Sequence, residues 1–294
     1  MKVLLNEAIE ILNSNNVVAI PTETVYGLGA KIDSQEALKK IFETKERPFF
    51  DPLIIHISNT QMLAQIFKTN KTIETLIEKF WPGPLTIISK KLETISPLIS
   101  AGLPAVGVRM PSHPLTLSLI ESLGVPLAAP SANKFKKTSP TCAQHVLDDF
   151  DSCVPVLDGG QSQLGIESTV LEVFESSVKI YRQGLVTKED IQNVLPKATI
   201  ELASSNVSPG TMKDHYQPKI PLYIIKGSTH GPQATGVELK LDQDPYLAAR
   251  NLYVQMRYLA SQTYPYIYID QDKYPKDSLW SSIWDRIEKS STKN

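Results

Sequence analysis

The amino-acid sequence predicts an α/β protein built on a twisted mixed sheet, followed by a smaller α/β domain. Short apolar runs alternate with amphipathic helical patterns over about the first 200 residues, and several strand patterns follow one another directly, which favours a mixed sheet. A polar segment with Pro-Gly and no apolar periodicity comes next. The predicted organisation is therefore a domain at 1–203, a linker at 204–218 and a small domain at 219–294.

The helices of the first domain follow from apolar spacing and from capping residues. Leu5, Ala8 and Leu12 recur at helical spacing, so we expect an amphipathic first helix rather than a signal-peptide core. Ser34 can cap a helix over 34–45, whose apolar residues share one face. Further helices are predicted at about 72–80, 114–123 and 188–194.

The strands of the first domain are predicted from short apolar runs bounded by turn residues. They are expected at 17–21, 53–57, 85–89, 106–109, 125–130, 153–157, 168–173 and 178–181. The segment TETVYGLGA, residues 22–30, is predicted to be a loop. Its glycines favour a tight turn over a phosphate-binding loop, because neither a Walker nor a GxGxxG pattern is present.

The small domain is predicted to contain two strands and two helices. The strands are expected at 221–227 and 264–270 and the helices at 245–260 and 278–288, with a poorly patterned segment at 227–243.

Charge and composition exclude several classes of protein. With 30 Lys and Arg against 31 Asp and Glu, the chain does not resemble a generic nucleic-acid or membrane-surface binder. Cys142 and Cys153 are too few for a disulfide scaffold, which favours a reducing cytoplasm. The five histidines show no zinc-ligand spacing, and no apolar stretch approaches the roughly 20 residues that span a bilayer.

Lys45 and Arg47, in FETKERPFFDPLIIH, are the first candidate binding residues. Pro48 disfavours a helical conformation at Arg47, so the chain should leave the helix extended there. Residues two apart in extended chain point the same way, and the two cations would then face an anionic ligand such as a polyphosphate side by side. On spacing alone, a solvated helix end, where the dipole favours cations, is the slightly better explanation.

Other polar residues also follow predicted strands. Ser131 and Asn133 in PSAN come after one strand, Arg109 and Arg182 end two others, and Ser168 begins another. Each taken alone is compatible with an ordinary surface turn. Together they are typical of a site for an anionic ligand at strand ends. No G-x-S-x-G nucleophile elbow is present, so a nucleophile would belong to a substrate.

In combination these motifs resemble the YrdC/Sua5 family of threonylcarbamoyl-AMP synthases. The matching pieces are PTETVYGLGA, KERPFFDPLIIHI, WPGPLTII, VGVRMPSHP, PLAAPSAN, SPT, LDGG, GIESTV and YRQG, in family order up to about residue 200. The segment SPGTMKDHYQP and the region after it resemble the longer Sua5 branch. The resemblance implies a YrdC-like sheet domain and a shortened, Rossmann-like C-terminal domain.

The resemblance also implies a reaction, in which L-threonine, bicarbonate or CO2, and ATP give threonylcarbamoyl-AMP and pyrophosphate for the t6A modification of tRNA. Mg²⁺ would accompany ATP, held by phosphates and waters rather than by protein side chains. The product would pass to the threonylcarbamoyl transferase machinery, in the cytoplasm and away from membranes. Weak direct binding of tRNA is also compatible with the resemblance.

The family's site residues carry over onto matching positions, with Lys45 and Arg47 as the catalytic pair. The implied ATP-binding residues are Lys45, Arg47, Asp51, Ser131, Asn133, Ser139, Arg182 and Tyr216. The implied threonine-binding residues are Thr24, His56, Arg109, Ala129 and Ser168, with Arg109 as partner of the carboxylate. Tyr216, on the linker, would fold over the nucleotide as part of a lid.

Three positions depart from the family pattern. Asp51 stands where Asn is usual, and its carboxylate would either weaken ATP binding or recruit Mg²⁺. Ala105 replaces a common Thr, and Gln183 replaces a frequent Pro. Two other functions remain as alternatives. They are an RNA-binding module without synthase activity and a carbamoyl-transfer domain like that of hydrogenase maturation proteins.

Overall fold

A computed structural model describes residues 1–175, 177–203, 215–227 and 235–292. The helices are α1 Leu5–Asn13, α2 Gln35–Lys45, α3 Lys71–Phe80, α4 Pro97–Ser100, α5 Pro114–Leu123, α6 Ala143–Asp149, α7 Lys188–Val194, α8 Pro245–Ala260 and α9 Ser278–Ser290, with 3₁₀ turns at Thr60–Gln65 and Gln271–Lys273. The strands are β1 Lys2–Val3, β2 Val18–Ile20, β3 Gly27–Lys31, β4 Ile54–His56, β5 Leu85–Lys90, β6 Ala105–Arg109, β7 Leu127–Ala128, β8 Val156–Leu157, β9 Thr169–Val173, β10 Ser177–Arg182, β11 Thr199–Leu202, β12 Leu222–Ile225, β13 Val237–Glu238 and β14 Ile267–Asp270.

The large domain is organised by one mixed sheet. Among the described residues its strand order is β1-β8-β2-β3-β7-β4-β6-β5-β9-β10-β11, with parallel and antiparallel neighbours intermingled. The predicted α/β class and mixed sheet are therefore confirmed. Buried aliphatic side chains of β4, β5 and β6 pack against α2 and α3 and form the main core.

Helix α2 illustrates how local sequence builds the frame of this sheet. The Ser34 side chain accepts a hydrogen bond from the backbone N–H of Ala37, as its capping role predicts. Ala37, Leu38 and Ile41 are fully buried on one face of the helix. The helix ends at Lys45, with Glu46 in the left-handed conformation (φ 54°).

Two predictions about local structure are wrong. The segment 22–30 is not wholly a loop, since Gly27–Lys31 forms β3 between β2 and β7. Its glycines are needed for close packing rather than a tight turn, because a Cβ on Gly27 would lie 3.2 Å from the Ala129 Cβ. In the small domain, the poorly patterned segment contributes a third strand, β13, which pairs with β14.

The small domain is a parallel α/β unit. Its described strands are in the order β12-β14-β13, and both pairings are parallel. Helices α8 and α9 pack on this sheet, and Val25 and Ile166 of the large domain belong to the same buried cluster. The two domains therefore share a core, although the predicted boundaries at 203–204 and 218–219 remain predictions.

The contact between the domains is also close at the backbone. Gly165 has φ 76°, and a Cβ there would lie 2.4 Å from the carbonyl oxygen of Arg250 in α8. Only glycine fits both requirements. Of the predicted linker, residues 204–214 lie outside the described residues, whereas His215–Pro218 are part of the structure.

Candidate active site

A cavity with roughly 590 Å³ of empty space opens where several strands of the large sheet end. Nine of the thirteen predicted site residues line it, namely Thr24, Arg47, His56, Arg109, Ala129, Ser131, Ser168, Arg182 and Tyr216. Strand register explains part of this convergence. Strands β4 and β6 are parallel neighbours, and His56 lies directly opposite Arg109 at their carboxyl ends. Ligands in α/β sheets commonly bind at such ends.

Arg47 contributes one of the cavity's cations. Its Nη2 lies 2.9 Å from the Asp51 carboxylate and donates to the carbonyl oxygen of Pro52 at 2.9 Å. Both side chains of this ion pair are about 95% buried, and burial raises the pKa of Asp51 while Arg47 opposes that rise. Asp51 itself does not line the cavity, so its influence on a ligand would pass through Arg47.

Lys45 does not stand beside Arg47 facing the ligand, and this prediction is wrong. The left-handed Glu46 between them breaks the two-residue alternation of extended chain. The buried Lys45 ammonium instead donates to the carbonyl oxygens of Ser131 at 2.6 Å and Asn133 at 2.5 Å. Burial, followed by the charge of Arg47, holds its pKa well below the usual range. Lys45 thus shapes the PSAN loop.

Asn133 and Ser139 are also turned away from the cavity. The Asn133 amide donates both N–H groups to the carbonyls of Lys134 and Lys137, and its Oδ1 has no partner among the described residues. The Ser139 hydroxyl donates to the Glu167 carboxylate at 2.6 Å. Neither side chain can donate to a phosphate in this arrangement.

Arg109 already has a carboxylate partner inside the protein. Its Nη2 lies 2.6 Å from Glu23, its Nη1 donates to the Thr24 hydroxyl at 2.8 Å, and its Nε donates to the carbonyl oxygen of Gly83. Thr22 in turn lies 2.8 Å from the Thr24 hydroxyl. The guanidinium is held in one orientation, so a ligand carboxylate would meet a rigid receptor.

His56 is a neutral member of the cavity wall. Burial, reinforced by the positive charge of Arg109, lowers the pKa of His56 to about 3. Its Nδ1 lies 3.2 Å from the carbonyl oxygen of Ile54. A neutral imidazole can accept or donate one hydrogen bond, and it adds no charge to a cavity that already contains three arginines.

Ser168, which directly precedes β9, and Arg182, which ends β10, are linked by hydrogen bonds in the cavity wall. Arg182 donates to the Ser168 carbonyl oxygen at 3.0 Å and to its hydroxyl at 3.2 Å. The same hydroxyl lies 2.8 Å from the Thr86 hydroxyl on β5. Contacts with two neighbouring strands, β5 and β10, therefore fix the position of Ser168.

Tyr216 belongs to the cavity wall and is held by contacts within the protein. It is fully buried with φ 63°, an uncommon conformation for a residue other than glycine. Its ring stacks on Tyr253 at 5.7 Å, and its carbonyl accepts from the hydroxyls of Thr138 and Ser290. Its own hydroxyl has no partner in the described part of the chain.

The predicted set omitted the cavity residues Thr22, Glu167 and His215, and it omitted the buried acid Glu23, which pairs with Arg109 of the cavity. Both acids stand in quoted motifs, PTETVYG and GIESTV, directly before a predicted site residue. A charged residue within a short stretch of small and apolar residues is costly to bury unless it is paired. An acid in such a stretch could therefore have been predicted to have a buried cationic partner. In the structure Glu23 pairs with Arg109, and Glu167 pairs with Arg286.

A family model described as Telomere recombination, for Sua5, YciO and YrdC proteins, matches residues 10–184. The chain belongs to this family. A second model, described as the C-terminal domain of threonylcarbamoyl-AMP synthase, matches residues 186–292, which identifies a Sua5-type member.

Two curated relatives named threonylcarbamoyl-AMP synthase are similar over most of this Sua5-type chain. The Bacillus subtilis protein is 44% identical over 230 residues, and the Pyrococcus abyssi protein is 41% identical over 224 residues. These regions cover 76% and 74% of this chain and 66% of each relative. The matched region thus spans slightly less than two thirds of the relatives' length.

Solved structures of Pyrococcus abyssi Sua5 share the fold. The structure complexed with L-threonine has a TM-score of 0.87 and 31% identity, covering 98% of this chain and 94% of that one. A variant with an adjacent His–Tyr pair replaced by alanine has a TM-score of 0.86 and 32% identity, covering 98% and 92%. This Sua5-type chain contains one His–Tyr pair, His215–Tyr216.

Neither a protein metal centre nor a membrane span is found among the described residues. They contain no group of three or more His, Cys, Asp and Glu side chains that could hold a metal ion. Glu167, which lines the cavity, and the buried Glu23 both form ion pairs with arginines. None of the helices in this part of the chain combines the length and apolar character that a membrane crossing requires.

Proposed function

We propose that this chain is a threonylcarbamoyl-AMP synthase, which converts L-threonine, bicarbonate or CO2, and ATP into threonylcarbamoyl-AMP and pyrophosphate. One observation carries the proposal. Arg47, Arg109 and Arg182 come from separate segments yet line a single cavity. Its remaining wall offers hydroxyls, the neutral imidazoles of His56 and His215, and the Glu167 carboxylate, which is paired with Arg286. This suits two anionic substrates, an amino-acid carboxylate and a polyphosphate, and the relatives' names point to the same pair.

The reaction needs no protein nucleophile. The threonine amine adds to CO2 and loses a proton, giving a carbamate. A carbamate oxygen then attacks the α-phosphorus of ATP, forming one P–O bond while the bond to the β-phosphate oxygen breaks and pyrophosphate leaves. The chain's contribution is to bring both anions together and to offset the charge that develops on phosphate oxygens.

The cavity residues divide into two groups in this proposal. Arg109, held by Glu23, receives the threonine carboxylate, while Thr24, His56, Ser168 and the backbone of Ala129 surround the remainder. Arg47 and Arg182 face the phosphates, with Ser131 and Tyr216 beside the nucleotide. Lys45, Asn133 and Ser139 act indirectly, by holding the PSAN loop and Glu167.

Mg²⁺ would arrive with ATP. The cavity carboxylate Glu167 and the nearby buried Glu23 are both paired with arginines, so the oxygens left to coordinate it are those of the phosphates and water. Bound Mg²⁺ would neutralise phosphate charge. Transfer of the product to the t6A machinery, and a location in the cytoplasm, belong to the same proposal.

The test is release of pyrophosphate from ATP, measured with and without threonine and bicarbonate. We expect release only when both are present, and a loss of at least about a hundredfold in Arg47→Ala, because removing one positioned charge commonly costs that much. Arg250→Ala is the matched control, since Arg250 is exposed on α8. Release that ignores threonine, or an Arg47→Ala protein as active as the parent, would contradict the proposal.

A further inference from the structure

The small domain sends one arginine into the wall of the cavity. Arg286 of α9 is fully buried, and its Nε donates to the Glu167 carboxylate at 3.0 Å. Its other nitrogens donate to the carbonyl oxygens of Gln183 at 2.7 Å and Glu167 at 3.3 Å. The Arg286 guanidinium therefore binds Glu167, which precedes Ser168, and Gln183, which follows Arg182. Ser168 and Arg182 both line the cavity.

Glu167 is an ionised carboxylate that is largely buried. It accepts hydrogen bonds from Ser139 at 2.6 Å and from Tyr253 at 3.0 Å, in addition to Arg286. Burial alone would raise its pKa, but the charges of Arg286 and Arg182, together with the Ser139 hydrogen bond, lower the pKa to about 2. Two arginines thus compensate the same buried charge.

Arg182 and Arg286 share Glu167 unequally. Arg286 contacts the carboxylate directly, whereas Arg182 donates to the carbonyl oxygen and the hydroxyl of Ser168. Removing Arg286 would leave a buried negative charge beside Arg182. An uncompensated buried carboxylate is strongly unfavourable, so Arg182 would be drawn away from Ser168 toward it.

The same arginine also lies against Tyr216. Its guanidinium carbon is 5.7 Å from the centre of the Tyr216 ring, which also stacks on Tyr253 of α8. A residue held in a left-handed conformation needs such contacts to persist. Both small-domain helices therefore hold the tyrosine that closes this side of the cavity.

We propose that Arg286 is a positioning residue, by which the small domain neutralises Glu167 and so keeps Arg182 and Tyr216 in place for the nucleotide. This inference rests on the proposed function, because it assigns these two residues to ATP. It gives the small domain a specific part in substrate binding. The threonine side depends less on it, since Glu23 and Gly83 hold Arg109, which in turn donates to the Thr24 hydroxyl.

The experiment measures the Kd of ATP and the Kd of threonine separately by calorimetry, with thermal unfolding as a check of folding. We expect Arg286→Met to weaken ATP binding about tenfold, which corresponds to 1.4 kcal/mol, while the Kd of threonine changes less than about twofold. Glu167→Gln alone should leave the Kd of ATP within about threefold of the parent.

The double variant Glu167→Gln/Arg286→Met is decisive. Removing the negative charge removes the need for Arg286, so ATP binding should recover to within about threefold of the parent. A purely structural role for Arg286 would give no recovery. Asp149→Asn is the matched control, because it breaks the Arg257–Asp149 pair (2.6 Å) between the same domains, and it should leave the Kd of ATP unchanged.

Arg286→Lys covers the case in which the Met variant does not fold. It keeps the positive charge and should bind ATP within about threefold of the parent. Three outcomes would each overturn the inference. They are an equal loss of ATP affinity in Arg286→Lys and Arg286→Met, no recovery of ATP affinity in the double variant, and a loss of ATP affinity in Asp149→Asn as large as that in Arg286→Met. A parent protein that binds ATP but releases no pyrophosphate would contradict the proposed function alone.

Discussion

Asp51→Asn tests how a buried carboxylate beside Arg47 affects the nucleotide. Arg47 Nη2 lies 2.9 Å from Asp51, and both side chains are buried. A phosphate bound to the outer edge of that guanidinium would lie about 6 Å from the carboxylate, where two unit charges repel by about 3 kcal/mol at an effective dielectric constant of about 20. Solvent on the open side of the cavity reduces this repulsion. We therefore expect Asp51→Asn to tighten ATP binding by about tenfold, or about 1.4 kcal/mol.

Asp51→Asn should also lower the free energy of unfolding. Losing one charge of a buried ion pair costs about 3 kcal/mol or more, and the retained amide oxygen offsets part of that cost, so we expect about 2 kcal/mol in urea unfolding. Calorimetry with ATP, with and without Mg²⁺, measures the affinity. Asp33→Asn, which removes an exposed carboxylate, is the control for net charge. Weaker ATP binding by Asp51→Asn in the absence of Mg²⁺ would refute the repulsion. Weaker ATP binding only when Mg²⁺ is present would identify Asp51 as a metal ligand instead.

Three further predictions concern the cavity and its supports. Lys45→Met should lower the free energy of unfolding by about 2 kcal/mol in urea titration, because the buried carbonyls of Ser131 and Asn133 lose their donor. Tyr216→Phe should stabilise the ligand-free protein by about 1 kcal/mol yet weaken ATP binding, since its buried hydroxyl has no partner among the described residues; equal ATP affinity would contradict its assigned place. The pKa values of His56 and His215 fall from 6.5 to about 3, so their contribution to stability is complete above pH 6.5 and is lost as pH falls toward 3. Two protons give a slope of about 3 kcal/mol per pH unit in that window, and His56→Gln should remove about half of it.

Much of the fold could be predicted because its signals are local. Helix α2 was predicted from one capping serine and one apolar face, and the structure differs from that prediction by a single residue. The strand β3 was missed because Gly27 and Gly29 lack side chains that report burial. Their role depends on how closely Ala129 and Ile20 approach, which no local pattern records.

The candidate site was predictable in part for the same reason. His56 and Arg109 end apolar runs, and parallel strand ends meet at one edge of a sheet. The indirect roles of Lys45 and Ser139 were not predictable. Their partners, the carbonyl of Asn133 and the carboxylate of Glu167, come from segments distant in sequence.

The sequence by itself determined the α/β class, most helix and strand positions and the residues that could meet at strand ends, because periodicity and capping act within a few residues. Only the tertiary structure decided which polar groups face the cavity and which support it. A buried charge must be compensated where it lies. Whether Arg109 meets Glu23, or Arg286 meets Glu167, depends on segments that come together only when the sheet and the small domain have packed.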